Sequence, residues 1–146
     1  MKTVLFLCTH NSARSQMAEG LMKKKYGDRI EVASAGTQPS KVHPLAIECM
    51  KEIGIDISSQ RSKSVEEFID EKIDLVVTVC DNAKENCPLF PGAKEYIHKG
   101  FQDPSAFVGP EVDQLGLFRK IRDDIADWMD TDLAPVLGLG KHSSSH

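Results

Sequence analysis

No run of apolar residues approaches the roughly 18 that a membrane-spanning helix needs. The opening Met1–Cys8 is too short for a secretory leader and runs straight into a polar stretch, so a cytoplasmic location is expected. Positive charge is not in excess. Eighteen basic residues against 22 acidic ones leave a net charge of −4, which gives no global field for nucleic acid. An anion site would have to be built locally, from backbone donors and a placed arginine. The four cysteines, Cys8, Cys49, Cys80 and Cys87, include no Cys-x-x-Cys pair, so the usual zinc patterns are missing. The five histidines show no ligand spacing either, and neither a metal nor a cofactor is expected. A structural disulfide is disfavoured in a reducing cytosol, which leaves catalytic or transient redox thiols as the sharper reading. No internal repeat is visible.

What remains is an ordinary globular chain of 146 residues, 40% apolar and 27% charged, long enough for one domain with one core. Residues 2–8 form a short continuous apolar run, the mark of a strand buried on both faces. Met17, Ala18, Leu21, Met22 and Tyr26 then recur at helical spacing, and Gly27 closes that helix. Residues 30–35 read as a second strand. His43-Pro44 opens a second helix with apolar positions Leu45, Ala46, Cys49, Met50 and Ile53, ended by Gly54. Ser64 with Glu67 three residues on predicts a capping box and a short third helix. Asp74–Cys80 reads as a third buried strand and 94–98 as a weaker fourth. Leu115, Phe118, Ile121, Ile125, Trp128 and Met129 mark a long last helix with a core-facing stripe. Alternating strands and helices imply an α/β fold with a mostly parallel sheet. The domain is expected over 1–135, with 136–146 a disordered Gly-, Ser- and His-rich tail.

In such sheets ligands bind beyond the carboxyl ends of the strands. Cys8 and Cys80 both fall there, and Asp103 follows the fourth strand. The stretch Cys8-Thr9-His10-Asn11-Ser12-Ala13-Arg14-Ser15 joins a strand to a helix N-terminus. A loop of that kind can turn successive N–H groups onto an oxyanion, and the helix dipole adds to the positive field. Arg14 supplies a two-pronged donor. The same field favours the Cys8 thiolate, the form that attacks, and the Thr9 and Ser15 hydroxyls can donate to its sulfur. Asp103-Pro104 reads, on its residues, simply as a turn. Cys49 reads as a small core residue. If the six residues between Cys80 and Cys87 were helical, their Cα atoms would stand about 10 Å apart. A disulfide needs roughly 4.4–6.8 Å, so the two pair only if the segment unwinds. On residues alone the favoured reading is two unrelated thiols, one buried and one on a loop.

The motif Cys8-x5-Arg14-Ser15-Gln16-Met17-Ala18-Glu19-Gly20 resembles the thioredoxin-coupled arsenate reductases of the low-molecular-weight protein tyrosine phosphatase fold. So do Ser34-Ala35-Gly36, Cys80-x6-Cys87-Pro88 and Asp103-Pro104. The similarity runs from residue 2 to about residue 130. It implies a four-stranded, mostly parallel sheet flanked by helices in three layers, usually as a monomer. It also implies an oxyanion loop over Thr9–Ser15 with Arg14 and Ser15 catalytic, and a general acid at Asp103. It implies a relay in which Cys8 attacks arsenate, Cys80 displaces arsenite, and Cys87 then forms Cys80–Cys87 for thioredoxin to reduce. Asn11, Glu19 and Ser34 match positions that hold potassium in some members. Lys63 stands where those members have an Asp, so its ammonium is expected to replace the ion. Two other functions use the same residues. A tyrosine phosphatase would use Cys8, Arg14 and Asp103 alike, but such enzymes usually carry aromatics just after the Asp-Pro, where Ser105-Ala106 stand here. A non-catalytic oxyanion-binding redox sensor would use the Cys80/Cys87 switch without turnover.

Overall fold

The computed structural model describes residues 1–81 and 90–139. Strand β1 (Lys2–Cys8) leads to helix α1 (Arg14–Tyr26), β2 (Ile30–Gly36) and α2 (Pro44–Lys51). A 3-10 turn (Val65–Phe68), β3 (Ile73–Thr78) and β4 (Ala93–His98) follow. A second 3-10 turn (Pro104–Ala106) precedes α3 (Glu111–Trp128), a π-helical segment (Met129–Leu133) and a last turn, α4 (Ala134–Val136). The expected four-stranded sheet is present in the order β2-β1-β3-β4, with all three pairings parallel.

The run that predicted a doubly buried strand is one. Val4, Leu5, Phe6 and Leu7 have no exposed surface. Val4 and Phe6 join the larger core with the apolar faces of α1, α2 and α3, including Met17, Met50 and Phe118. Leu5 and Leu7 face a smaller cluster on the other side of the sheet, with Val76, Phe90 and the flanking Val65 and Phe68. Cys49 is fully buried in the larger core, as its helical position predicts. Among the described residues no helix is long and apolar enough to cross a membrane.

Four local expectations need correction. The capping box at Ser64 is only half made. Ser64 accepts from the Glu66 N–H at 3.1 Å, but Glu67 reaches out to Arg61 at 2.9 Å instead of back to the cap. A charge-assisted pair outcompetes the reciprocal bond, and the result is a 3-10 turn. Strand β3 ends at Thr78, although Val79 still donates to Leu7 O at 2.9 Å. Ile53 lies past the end of α2 and is exposed. The packed chain also continues beyond 135. Leu137 and Leu139 are buried, and Arg29 donates to Leu139 O at 2.8 Å. Apolar leucines between the glycines hold that stretch on the core; residues 140–146 lie outside the described residues.

Candidate active site

The loop between β1 and α1 is held from outside by its carbonyls. Thr9 O accepts from Gln38 N at 2.9 Å, and His10 O from Ser62 Oγ at 2.9 Å and Ser40 N at 3.3 Å. Asn11 O accepts from Gln16 Nε2 at 3.0 Å, and Ser12 O from His43 N at 3.0 Å. Four successive carbonyls are thus taken by surrounding segments. The described peptides are all trans, so each C=O lies opposite the next residue's N–H. The N–H groups of residues 10–13 therefore turn to the concave side, which is the geometry of an anion cradle. Asn11 provides the bend, with a positive φ of 50°. No side chain among the described residues caps the N-terminus of α1, so the positive end of its dipole opens onto the same space.

Asn11 is the fixed point of the loop. It has no exposed surface. Its Nδ2 donates to Ser15 Oγ and Ser34 Oγ, both at 2.8 Å. Its Oδ1 accepts from Gln16 Nε2 at 2.9 Å and from Lys63 N at 2.8 Å. Gln16, itself wholly buried, also donates to Arg61 O at 2.9 Å, and Gln60 donates back to Gln16 Oε1 at 2.7 Å. Beneath this layer, Ser34 donates to Glu19 Oε1 at 2.5 Å. Lys63 Nζ lies 3.6 Å from that same oxygen and donates to Arg61 O at 3.0 Å, while Lys23 takes Glu19 Oε2 at 2.6 Å. An ammonium thus stands within the Asn11, Glu19 and Ser34 group. Gly36 lets β2 run against the loop. A Cβ there would meet Thr9 O at 2.5 Å and Cys8 O at 2.7 Å.

Cys8 is 2% exposed, at the end of β1. Arg14 is just as buried. Its Nη1 donates to Phe101 O at 3.1 Å, and its Nη2 stands 3.5 Å from Asp103 Oδ2. The guanidinium is thereby set in one orientation by the segment after β4. Asp103 caps the turn that follows it: its Oδ1 accepts from the Ser105 N–H at 2.9 Å and from Ser105 Oγ at 2.6 Å. A mouth of about 290 Å³ opens beside the loop, lined by Thr9, His10, Asp81, Gln102, Asp103 and Phe107. His10 bonds the Gln38 carbonyl through Nδ1 at 3.2 Å, which fixes the proton on Nδ1 and leaves Nε2 as the ring's other polar atom. Cys80 is fully buried, two residues beyond β3. Because β1 and β3 are neighbours with Leu7 opposite Thr78, Cys8 and Cys80 leave adjacent strand ends. Cys87 lies outside the described residues. Among the described residues no group of three or more His, Cys, Asp or Glu side chains could hold a metal ion.

Residues 3–130 match the family model described as low molecular weight phosphotyrosine protein phosphatase. The chain belongs to that family. Several of the proteins it is similar to are named arsenate reductase. A protein named arsenate reductase from Halalkalibacterium halodurans is 48% identical over 124 residues, 85% of this chain and 89% of that protein. A solved arsenate reductase in a phosphate-binding state is 36% identical, with a TM-score of 0.76, over 93% of this chain and 99% of that one. A thioredoxin-dependent arsenate reductase of Corynebacterium glutamicum is 29% identical with a TM-score of 0.64. That match covers 92% of this chain and 63% of the other.

The structure brings together the loop, Arg14, Ser15 and Asp103, all singled out in the sequence. Sequence reading missed Gln16, Gln60 and Ser105. The two glutamines carry no signal, because nothing in a sequence marks an amide for burial. Ser105 does: Asp-Pro-Ser has the form of a helix N-cap with proline at the first position.

Proposed function

We propose that this chain reduces arsenate to arsenite by a relay of Cys8, Cys80 and Cys87, with thioredoxin as the electron donor. The observation that carries the reading is the cradle itself. Four outward-held carbonyls and a fixed Arg14 surround the buried Cys8, in a chain nearly half identical to proteins named arsenate reductase. The Cys8 thiolate attacks arsenic, the arsenic–oxygen bond breaks, and that oxygen leaves as water with a proton from Asp103. Ser15 Oγ already accepts from Asn11, so its own proton is left to serve the Cys8 sulfur. The Cys80 thiolate then attacks the Cys8 sulfur. The sulfur–arsenic electron pair stays on arsenic, which leaves as arsenite, and a Cys8–Cys80 disulfide forms. Cys87 attacks Cys80 and frees Cys8. Two thioredoxin thiols reduce Cys80–Cys87, so no bound cofactor is required.

The test supplies thioredoxin, its reductase and NADPH, and follows arsenate-dependent NADPH loss. Cys8→Ser is expected to abolish it, and Cys87→Ser to stop it after one arsenite per chain. A Cys87→Ser chain that keeps turning over in this assay would mean that thioredoxin reduces Cys8–Cys80 directly, and Cys87 would drop out of the relay. No arsenate-dependent signal at all would end the reductase reading.

The ammonium of Lys63 on Glu19 supports a second part of the proposal, that the chain works without potassium. Turnover and Tm are expected to be equal in potassium and sodium chloride at matched ionic strength. A clear gain in potassium would contradict this. A tyrosine phosphatase reading keeps one observation in its favour, Phe107 at the mouth. Phosphate release from an aryl phosphate far outpacing arsenate reduction would favour it.

A further inference from the structure

The Asp103 carboxylate is held at one oxygen more firmly than its turn requires. Capping the 3-10 turn takes a single donor, the Ser105 N–H at 2.9 Å. The Ser105 hydroxyl adds a second bond to that same Oδ1, at 2.6 Å. Two donors occupy the lone pairs of Oδ1, so a proton on this carboxyl group belongs on Oδ2. Oδ2 is the oxygen that faces Arg14 Nη2, at 3.5 Å. The turn is pinned from its other side, since Gln114 on α3 donates to Pro104 O at 3.1 Å. Pro104 between them is buried.

From this geometry we propose that Ser105 is a positioning residue for proton transfer: it commits the proton of Asp103 to Oδ2, aimed at the oxygen that leaves arsenic. The inference rests on Asp103 being the acid. Without the hydroxyl, Oδ1 keeps only its backbone donor. The carboxyl group can then rotate or carry its proton on the wrong oxygen, and fewer encounters have the proton in line with the departing oxygen. The charged and titratable groups around Asp103 are Arg14, from α1, His43, at the start of α2, and His10 and Asp81, which line the same mouth.

The experiment is single-turnover arsenite formation by the fully reduced full-length chain, followed against pH for wild type, Ser105→Ala, Ser105→Thr and Asp103→Asn. For Ser105→Ala the plateau rate is expected to fall about 10-fold, the scale of one charge-assisted hydrogen bond lost at the reacting group. Ser105→Thr keeps the hydroxyl and is expected to restore the rate. Wild-type rates in Ser105→Ala, with Asp103→Asn slow, would overturn the proposal. So would a slow Ser105→Ala that threonine does not rescue, since that is a purely structural effect. If Asp103→Asn itself keeps the wild-type rate, the acid reading falls, and this inference falls with it.

Discussion

At the scale of single residues, the site depends on close approach as much as on reactive groups. Gly36 has no left-handed backbone and no turn to make; what it supplies is the absence of a side chain. Its position on β2 lies against the carbonyls of Cys8 and Thr9, both of which a Cβ would approach far inside contact distance. These obstacles are backbone and cannot rotate away. Gly36→Ala must therefore push the loop off β2, disturbing the bond from Gln38 N to Thr9 O. Overpacking of this kind costs about 1–3 kcal/mol. The expected outcome is a lower urea midpoint together with at least a ten-fold weaker inhibition of turnover by phosphate, which reports the cradle directly. A variant that lost stability but bound phosphate as before would show that the loop does not depend on β2. Ser34-Ala35-Gly36 was legible as a motif. The reason for its glycine was not, because close approach between segments far apart in sequence leaves no local pattern.

At the scale of elements, α2 is tied to the cradle at its N-cap, His43. His43 donates its backbone N–H to Ser12 O, and its Nδ1 accepts from Leu45 N at 3.1 Å, capping the helix. The ring also packs on Phe118 of α3, with centroids 4.7 Å apart. An acceptor at Nδ1 requires the neutral ring. Burial pushes the His43 pKa below its ordinary value; Asp103 pulls against it, and Lys41 adds a smaller downward push. A lowered folded value means that the folded state prefers the neutral form. Its contribution is full above the unfolded value near 6.5 and is lost as pH falls through the lowered folded value. Asparagine caps equally well and does not titrate. The Tm of wild type is therefore expected to fall more steeply than that of His43→Asn between pH 7.5 and pH 5. Parallel curves for the two proteins would rule out a titrating cap. Elements were also the scale at which the sequence spoke most clearly. Apolar periodicity located β1, α1, β2, α2 and α3 to within a few residues, because each buries a regular face. The Val65–Phe68 turn and the π-helical segment were not legible. In the first, Glu67 chose Arg61 over its own cap. In the second, Asp130 is held by Tyr26 and Lys25, which lie more than a hundred positions away in the sequence.

For the molecule as a whole, the strand order places the chemistry. With β1 and β3 adjacent at the centre of a parallel sheet, the loops after both strands open at one edge, and the segment after β4 arrives beside them. The reading of the sequence reached this far because βαβ order and right-handed crossovers leave few alternatives. It could not show that the cradle is bolted to the rest of the fold through Gln38, Ser40, His43, Gln60 and Ser62, since these contacts exist only after folding. Such bolting has a thermodynamic consequence. An oxyanion that fills the cradle binds the folded chain and not the unfolded one, so its binding energy stabilises every segment attached to the loop. Sulfate is the cleanest probe, because it is a tetrahedral dianion that does not titrate between pH 5 and 9. At ten times its dissociation constant the gain is about 1.4 kcal/mol, which for a domain of this size raises Tm by roughly 3–6 °C. Sodium chloride at the same ionic strength is expected to give much less, which separates the site from general salt effects. Arg14→Lys keeps the charge but loses the fork that Phe101 O and Asp103 orient, so most of the sulfate-specific shift should vanish with it. Hydrogen exchange would locate the effect. Protection should rise in the loop, at the start of α1 and in the 36–43 and 60–64 segments together. A rise confined to the loop would mean that the cradle is held by its own backbone alone.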